Sequence, residues 1–331
     1  MGAVTRGAHR HCVNTKADMM TNISMNAAPA LASPVVKSKR KQSSVAHDRA
    51  LTLLIFLPPA LLLFTLFVIL PMGEAAWYSL YRWNGYGTPS EFIGLKNFQV
   101  LFGNAAFSQA LINNALIIVI SICIQIPLAI WLATMLAHRI PGVVAFRLVF
   151  FLPYVLADVA AGLIWRFVYD GDYGLFAAIS NFFGFANPYV LADKDVAIYA
   201  VLAVIVWKYF GFHMMLFIAG LQSVDKNVLE AAEIDGATGW QKFRYVTLPM
   251  LGSTVRLSIF FAVIGSLQLF DMIIPLTGGG PSNSTQTMVT FLYTYGVMRM
   301  QVGLGSAVGV VLFIICVTLA FGYKRIFMRH D

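Results

Sequence analysis

Six long apolar runs alternate with shorter polar segments along most of this chain. Each run is long enough for an α-helix to cross the hydrocarbon core of a bilayer, which takes roughly 20 residues. A backbone in lipid must satisfy its own hydrogen bonds, which favours helices over irregular chain. The pattern therefore predicts an all-α membrane protein with six transmembrane helices, over residues 51–70, 111–137, 144–169, 196–220, 251–276 and 303–323.

One polar segment between the fourth and fifth runs has its own helical pattern. It covers 221–249 and reads LQSVDKNVLEAAEIDGATGWQKFRYVTLP, which is too charged to cross a membrane. Ser223 or Asp225 is suited to cap a helix start, and Thr238 can cap a second one. Gly236 can end the first helix in the left-handed conformation. The segment therefore predicts two short helices joined at a glycine.

The first of these short helices has the surface of a docking element. Ala231 and Ala232 make it narrow, and Glu230 and Glu233 make it acidic. A narrow anionic helix suits a basic groove in a partner protein. The alternative is a helix that lies on the bilayer surface, but such helices favour Lys and Arg on their polar face.

Composition and charge support a membrane protein and set its orientation. The chain is 59% hydrophobic and 11% charged, whereas soluble domains carry about 25% charged residues. Lys and Arg cluster before the first run and after the second, fourth and sixth. Because basic residues accumulate in cytoplasmic loops, both termini and the segment 221–249 are predicted to be cytoplasmic. The basic residues form no patch, so nucleic acid is not an expected partner.

The chain is predicted to form one transmembrane domain over 49–331, preceded by a disordered cytoplasmic tail over 1–48. The tail has too few apolar residues to fold alone. The first apolar run begins at Leu51 and no small-residue cleavage site follows it, so we expect no cleavable signal peptide. The three cysteines are far apart and predict neither a disulfide framework nor a metal site.

The sequence offers no catalytic or nucleotide-binding motif. The glycine run at 278–280 is not followed by Gly-Lys-Ser/Thr, and no phosphate-binding loop occurs elsewhere. Metalloprotease and nucleophile-elbow motifs are missing as well. We therefore expect a chain that is not an enzyme, whose energy comes from another subunit or from an ion gradient.

Ionisable side chains inside apolar runs are costly and point to function. Asp158 and Lys208 lie deepest, and the sequence leaves open whether they line a pathway or form a structural pair. Arg166 and Asp271 are expected near the outer surface. His213 is expected to make a hydrogen bond between helices.

Three runs of this sequence resemble one protein family. The run EAAEIDGATGWQKFRYVTLP (230–249) resembles the cytoplasmic signature of permease subunits of ATP-binding-cassette importers. The run LFDMIIPLTGGGPSNSTQT (269–287), and WYSLYRW with FIGLKNF (77–98), are similar to sequences of the carbohydrate-uptake branch. The resemblance covers 50–327 and is to subunits related to the maltose and glycerol-3-phosphate permeases. The chain departs from the maltose member in having six spans and no large inserted outer domain.

The resemblance implies the type I importer permease fold with a coupling helix in 221–249. Its partners would be a second permease subunit, two ATPase subunits that bind ATP and magnesium, an extracytoplasmic solute-binding protein and membrane lipid. This chain would hold no cofactor and would lie, multi-pass, in a bacterial inner membrane. The residues implied to dock on the ATPase, with Glu230 against a basic residue there, are Glu230, Ala231, Ala232, Asp235, Gly236, Ala237, Phe243, Leu248 and Pro249.

A sugar or related polyol is the implied substrate, and it needs paired hydrogen-bond donors and acceptors. The amides of Asn113, Asn114, Gln125 and Gln268 could supply them. Tyr154, Trp165 and Phe270 could stack on a sugar face, and Asp158, Lys208 and Asp271 complete the expected pathway. The alternative is an ion-coupled secondary transporter with Asp158 as the carrier. Such proteins usually show paired broken helices in two related halves. The sequence has no evident internal repeat, so this alternative is less favoured.

Overall fold

The computed structural model describes residues 40–137, 141–186 and 188–327. The chain divides into two units, Met1–Leu61 and Leu62–Asp331. The described part of the first unit belongs to a helix that begins at Arg40. The second unit contains all the other described elements, and these are almost entirely helical.

The secondary structure consists of sixteen α-helices, four π-helical turns and two short strands within the described residues. The strands β1 (Tyr81–Arg82) and β2 (Glu91–Phe92) pair antiparallel, with Tyr81 opposite Phe92. The π-turns are Thr65–Ile69, Ser121–Gln125, Phe243–Thr247 and Leu292–Met298. The helices are α1 (Arg40–Phe64), α2 (Leu70–Tyr78), α3 (Lys96–Phe102), α4 (Ala105–Ile120), α5 (Ile126–Leu136), α6 (Val143–Val155), α7 (Asp158–Val168), α8 (Leu175–Phe182), α9 (Ala197–Gln222), α10 (Lys226–Ile234), α11 (Gly239–Lys242), α12 (Leu248–Met250), α13 (Gly252–Leu267), α14 (Ile273–Thr277), α15 (Met288–Phe291) and α16 (Val302–Phe327).

Four helical stretches in the described chain are long and apolar enough to cross a membrane, and two bent helix pairs raise the number to six if each pair is one span. The four stretches match the first, second, fourth and sixth predicted runs; they are Leu51–Tyr78, Ala105–Leu136, Ala197–Gln222 and Val302–Tyr323. The bent pairs are Val143–Val155 with Asp158–Val168 and Gly239–Met250 with Gly252–Leu267.

The third predicted span is a broken helix. Leu156 and Ala157 adopt extended ψ angles of 142° and 139°, and α6 and α7 meet at a bend of 97°. The hydrophobic run 144–169 continues through the break, so hydropathy gives no sign of it. The side chain of Lys208 donates hydrogen bonds to backbone carbonyl oxygens at this break.

The fifth predicted span, 251–276, is also interrupted. The helix α13 ends at Leu267, and the chain becomes helical again at Ile273. In the gap, the hydroxyl of Thr287 donates to the carbonyl oxygen of Leu269 at 2.9 Å. A distant side chain thus satisfies a carbonyl that a continuing helix would have bonded itself.

The predicted tail boundary at residue 48 lies inside a helix. Residues 1–39 are outside the described residues, but α1 already begins at Arg40. No glycine or proline occurs between Arg40 and Leu57. The helix of the first apolar run can therefore extend towards the N-terminus as far as Arg40.

Helix α9 is the most buried of the candidate spans, with 61% of its apolar window inside the protein. Buried side chains of α9 pack against α5 through Met214 and Phe217. A Cβ added at Gly211 would lie 2.1 Å from the carbonyl oxygen of Phe150, so glycine allows α6 to approach this closely. Lys208 and His213 lie on α9 on either side of Gly211, so this packing fixes their positions.

Candidate functional site

A cavity of about 560 Å³ lies between α6, α7, α9, α13 and the π-turn Ser121–Gln125. It brings together polar and aromatic side chains that are far apart in the sequence. Six of the residues predicted for the substrate pathway line it: Gln125, Tyr154, Asp158, Gln268, Phe270 and Asp271.

An ion pair stands at the edge of the cavity. The Nζ atom of Lys208 on α9 lies 2.9 Å from Oδ1 of Asp158, the first residue of α7. The lysine side chain is 1% exposed, whereas the Asp158 side chain is 35% exposed and lines the cavity. The structure therefore joins the two deep ionisable residues as a pair, with the carboxylate towards the cavity and the ammonium behind it.

The same ammonium group satisfies the open end of α6. It donates to the carbonyl oxygens of Pro153 at 3.1 Å, Tyr154 at 3.4 Å and Leu156 at 2.5 Å. These carbonyls lie at the C-terminal end of a helix, where a cation is favoured by the helix dipole. Lys208 thus stabilises the bend that brings Asp158 to the cavity.

Gln125 supplies a buried amide to the cavity wall. Its side chain is 2% exposed, and its Oε1 atom has no hydrogen-bond partner among the described residues. Buried polar atoms in proteins are nearly always paired, so an unpaired one calls for an explanation. Gln125 also ends a π-helical turn that begins at Ser121, and such turns are frequent at functional sites.

Aromatic rings form one wall of the cavity. Tyr154 stacks on Phe212 with ring centroids 4.9 Å apart, and Phe212 meets Phe261 edge to face at 5.6 Å. Phe212 and Phe261 were not predicted, because the apolar residues of α9 and α13 are not confined to one face of either helix. The lining residues Ser121, Tyr209, His213 and Ser266 were likewise not predicted to lie in the pathway.

His213 makes the predicted hydrogen bond between helices. Its Nδ1 atom lies 2.7 Å from Oγ of Ser258, which joins α9 to α13. Both residues are buried. His213 also lines the cavity, a position that the prediction did not include.

Asn113 and Asn114 lie outside the cavity, and their amides hold the loop between α14 and α15. Asn113 Nδ2 donates to the carbonyl oxygens of Ser284 and Gln286, both at 2.8 Å. Asn114 Nδ2 donates to Ser266 O at 2.7 Å and its Oδ1 accepts from the Met288 N–H at 2.9 Å. Both side chains are almost fully buried, so these amides serve the fold.

Trp165, predicted to stack on a sugar, packs against protein rings. Its ring centroid lies 5.3 Å from that of Trp207 and 5.2 Å from that of Tyr169. These contacts belong to the buried cluster around α9 and α14. Trp165 is not among the residues that line the cavity.

The segment 221–249 folds as the predicted pair of short helices. Asp225 caps α10 through its carboxylate, which accepts from the Asn227 N–H at 2.9 Å. Gly236 follows with φ +79°, in the left-handed region that glycine adopts without strain. Thr238 and Gln241 then form a capping box at the start of α11, which satisfies two free N–H groups of that helix.

The two acidic residues of α10 have different surroundings. Glu233 forms an ion pair with Lys242, which joins α10 to α11. Glu230 is exposed and makes no hydrogen bond or ion pair with the described residues. In the predicted docking set, Ala232, Ala237, Phe243 and Leu248 are half-buried, and the exposed members are Glu230, Ala231, Asp235, Gly236 and Pro249.

Residues 38–330 match the family described as "Binding-protein-dependent transport system inner membrane component". The chain belongs to this family. The resemblance seen in the segment 230–249 is therefore confirmed.

Relatives and a solved structure agree with the assignment. The chain is 32% identical over 294 residues to the diacetylchitobiose uptake system permease protein of Streptomyces coelicolor, covering 85% of this chain and 83% of the relative. It is 30% identical over 291 residues to the sn-glycerol-3-phosphate transport system permease protein of Agrobacterium fabrum, covering 87% and 98%. Its fold is similar to a chain of the bacterial alginate importer, with a TM-score of 0.74 at 21% identity over 87% of this chain and 96% of the other.

Proposed function

We propose that this chain is a pore-forming subunit of an ATP-driven importer, and that it moves a sugar or related polyol into a bacterial cell. The observation that carries the proposal is the exposed carboxylate of Glu230, which has no partner among the described residues. It stands on a helix whose start, end and following turn are all fixed locally. A preorganised anionic helix suits a partner's basic cleft, because little freedom is lost on docking.

The proposed partner at this helix is an ATPase subunit. The chain has no phosphate-binding loop in its sequence, so ATP and magnesium would be bound by that partner. The complete importer would hold two ATPase subunits, a second permease subunit and an extracytoplasmic solute-binding protein. The family description, which names binding-protein-dependent transport, supports the last of these.

The proposed topology has six spans, with both termini and the segment 221–249 in the cytoplasm of a bacterium and the chain in its inner membrane. The bent pair Val143–Val155 with Asp158–Val168 would make the third span, and α13 with α14 the fifth. The distribution of Lys and Arg supports this orientation. It is the arrangement in which Glu230 meets a cytoplasmic ATPase.

Continuity of the chain supports a mechanical link between the docking helices and the cavity. Helix α9 runs directly into α10 through Ser223–Asp225, and α11 leads through a π-turn and α12 into α13. Both α9 and α13 contribute residues to the cavity wall. Movement of the docked helices would therefore shift the cavity walls and alternate access between the two sides of the membrane.

The relatives support a sugar or polyol as cargo. One belongs to a system for diacetylchitobiose and another to a system for sn-glycerol-3-phosphate. The cavity's amides, carboxylates and aromatic wall suit a ligand with many hydroxyl groups and apolar ring faces. In the alternative of an ion-coupled transporter, Asp158 would carry the ion, but its carboxylate is already paired with Lys208.

The proposal is tested by uptake in cells that carry the complete transporter. Glu230→Lys reverses the charge of the docking helix and is expected to abolish ATP-dependent uptake, while the protein still reaches the membrane in normal amount. Asp195→Lys makes the same charge change in an exposed loop at the opposite end of α9 from α10 and is expected to leave uptake intact. Normal uptake by Glu230→Lys would refute the docking role.

A further inference from the structure

We propose that the transported solute is an uncharged sugar, recognised in the cavity through its hydroxyl hydrogens. This inference rests on the proposed function, since it names the class of solute for the same cavity. It does not follow from the relatives, because one of their systems is named for an uncharged disaccharide derivative and another for a phosphate ester.

The cavity contains a hydrogen-bond acceptor that the described residues leave unpaired. Gln125 Oε1 is buried and has no partner among the described residues. The exposed carboxylate of Asp271 also lines the cavity, and an ionised carboxylate can only accept. The carboxylate of Asp158 already accepts from Lys208 and Tyr209. A ligand that brings several O–H donors would satisfy Gln125 and Asp271, and a sugar does so.

The cavity offers nothing to balance a negatively charged ligand. No Lys or Arg occurs among its lining residues. The nearest cation, Lys208, is 1% exposed and is already bonded to Asp158 and to three carbonyl oxygens. A phosphate or uronate would meet the carboxylate of Asp271 and no free cation, and burying an unpaired charge is costly.

The rest of the cavity suits a ring-shaped neutral ligand. The volume of about 560 Å³ falls within the range of small-molecule sites. The stacked pair Tyr154 and Phe212 gives an apolar surface on one side, against which the C–H face of a sugar ring can lie. Acceptors on one wall and aromatic rings on another match the two kinds of surface that a pyranose presents.

The test compares neutral and anionic solutes in the complete transporter. The permease is purified with the subunits that associate with it, reconstituted in proteoliposomes with its binding protein, and supplied with ATP. Uptake is measured for labelled maltose, cellobiose and diacetylchitobiose, and for labelled sn-glycerol-3-phosphate and digalacturonate. We expect uptake from the neutral group and none from the anionic group.

A substitution tests the role of the unpaired acceptor. Gln125→Ala is expected to raise the KM for the transported neutral sugar about tenfold, the factor that one lost hydrogen bond of about 1.4 kcal/mol produces. Gln99→Ala, at an exposed glutamine outside the cavity, should leave KM unchanged.

The outcomes separate this inference from the proposed function. Uptake of an anionic solute without any neutral one would overturn the inference and leave the proposed function standing. Uptake of neither group, with ATP hydrolysis intact, would overturn both. An unchanged KM in Gln125→Ala would overturn the role of Gln125, and the comparison of solutes in the unmodified protein does not depend on that variant.

Discussion

The ammonium group of Lys208 lies 2.9 Å from a carboxylate oxygen of Asp158 and also bonds three carbonyl oxygens at the end of α6. One side chain therefore compensates the charge at the cavity wall and stabilises the break in the third predicted span. Because Lys208 is 1% exposed, water cannot replace it. The lysine of this pair has a structural role, whereas the aspartate faces the cavity.

Removal of the lysine should destabilise the protein strongly. Lys208→Met removes the cation beside Asp158 and the donor to three carbonyl oxygens, and breaking a buried pair costs about 3–5 kcal/mol. We expect a correspondingly lower thermal midpoint for the purified transporter in detergent. Arg82→Met breaks a pair whose side chains are 60% and 53% exposed, and should cost less than about 1 kcal/mol. Equal losses in the two variants would contradict this account.

The double variant Lys208→Met with Asp158→Asn separates pairing from packing. Asparagine carries no charge, so the double variant should regain part of the stability lost in Lys208→Met alone. Coupling energies between contacting residues reach about 0.5–3 kcal/mol in such cycles. Strictly additive losses in the thermal unfolding of the three variants would show that the two residues do not act as a pair.

The close contact of α6 and α9 predicts a sensitive glycine. A Cβ at position 211 would lie 2.1 Å from the Phe150 carbonyl oxygen, so Gly211→Ala forces the two helices apart. Overpacking of this kind costs about 1–3 kcal/mol, measurable as a lower thermal midpoint. Gly73→Ala provides the control, because no atom lies within 4 Å of its added Cβ. A Gly211→Ala protein as stable as Gly73→Ala would be inconsistent with the packing.

Asn114 should affect stability and leave solute recognition unchanged. Asn114→Leu removes the bonds to Ser266 O and Met288 N and leaves buried backbone groups unpaired, at a cost of about 1–3 kcal/mol each. The KM of the surviving protein for its sugar should equal that of the unmodified protein. A raised KM with normal stability would instead support the sugar contact that the sequence predicted.

Gly236 should be needed for transport because of its backbone angle. Its φ is +79° and its Cβ position is open, so Gly236→Ala introduces conformational strain of roughly 1–2 kcal/mol without a clash. We expect reduced sugar-dependent ATP hydrolysis by the reconstituted transporter. Gly239→Ala, also open and without a positive φ, should behave as the unmodified protein. Identical effects of the two substitutions would show that the turn angle is unimportant.

Local signals in the sequence predicted the two short helices of 221–249. Asp225, Gly236 and Thr238 act within a few residues of their own positions, and caps of this kind depend on residue type and spacing. The apolar runs also placed four candidate spans correctly, since length and hydropathy decide them.

Long-range contacts set the features that the sequence could not reveal. The break at Leu156 depends on Lys208, 52 residues away. The end of α13 involves Thr287, which bonds Leu269 from 18 residues away. Asn113 and Asn114 carry the polarity expected of sugar ligands, and their partners lie more than 150 residues along the chain. Hydropathy and residue type carry no information on such pairings.

The most direct test of the docking role is photocrosslinking from position 230 in the complete transporter. Glu230→Cys, made in a protein whose Cys12, Cys123 and Cys316 are serine, is labelled with a benzophenone maleimide in the detergent-solubilised complete transporter, where both faces are accessible, and irradiated. The account predicts a covalent product with the ATPase subunit from position 230, and none from Asp195→Cys treated in the same way. No ATPase product at position 230, or equal products from both positions, would contradict it.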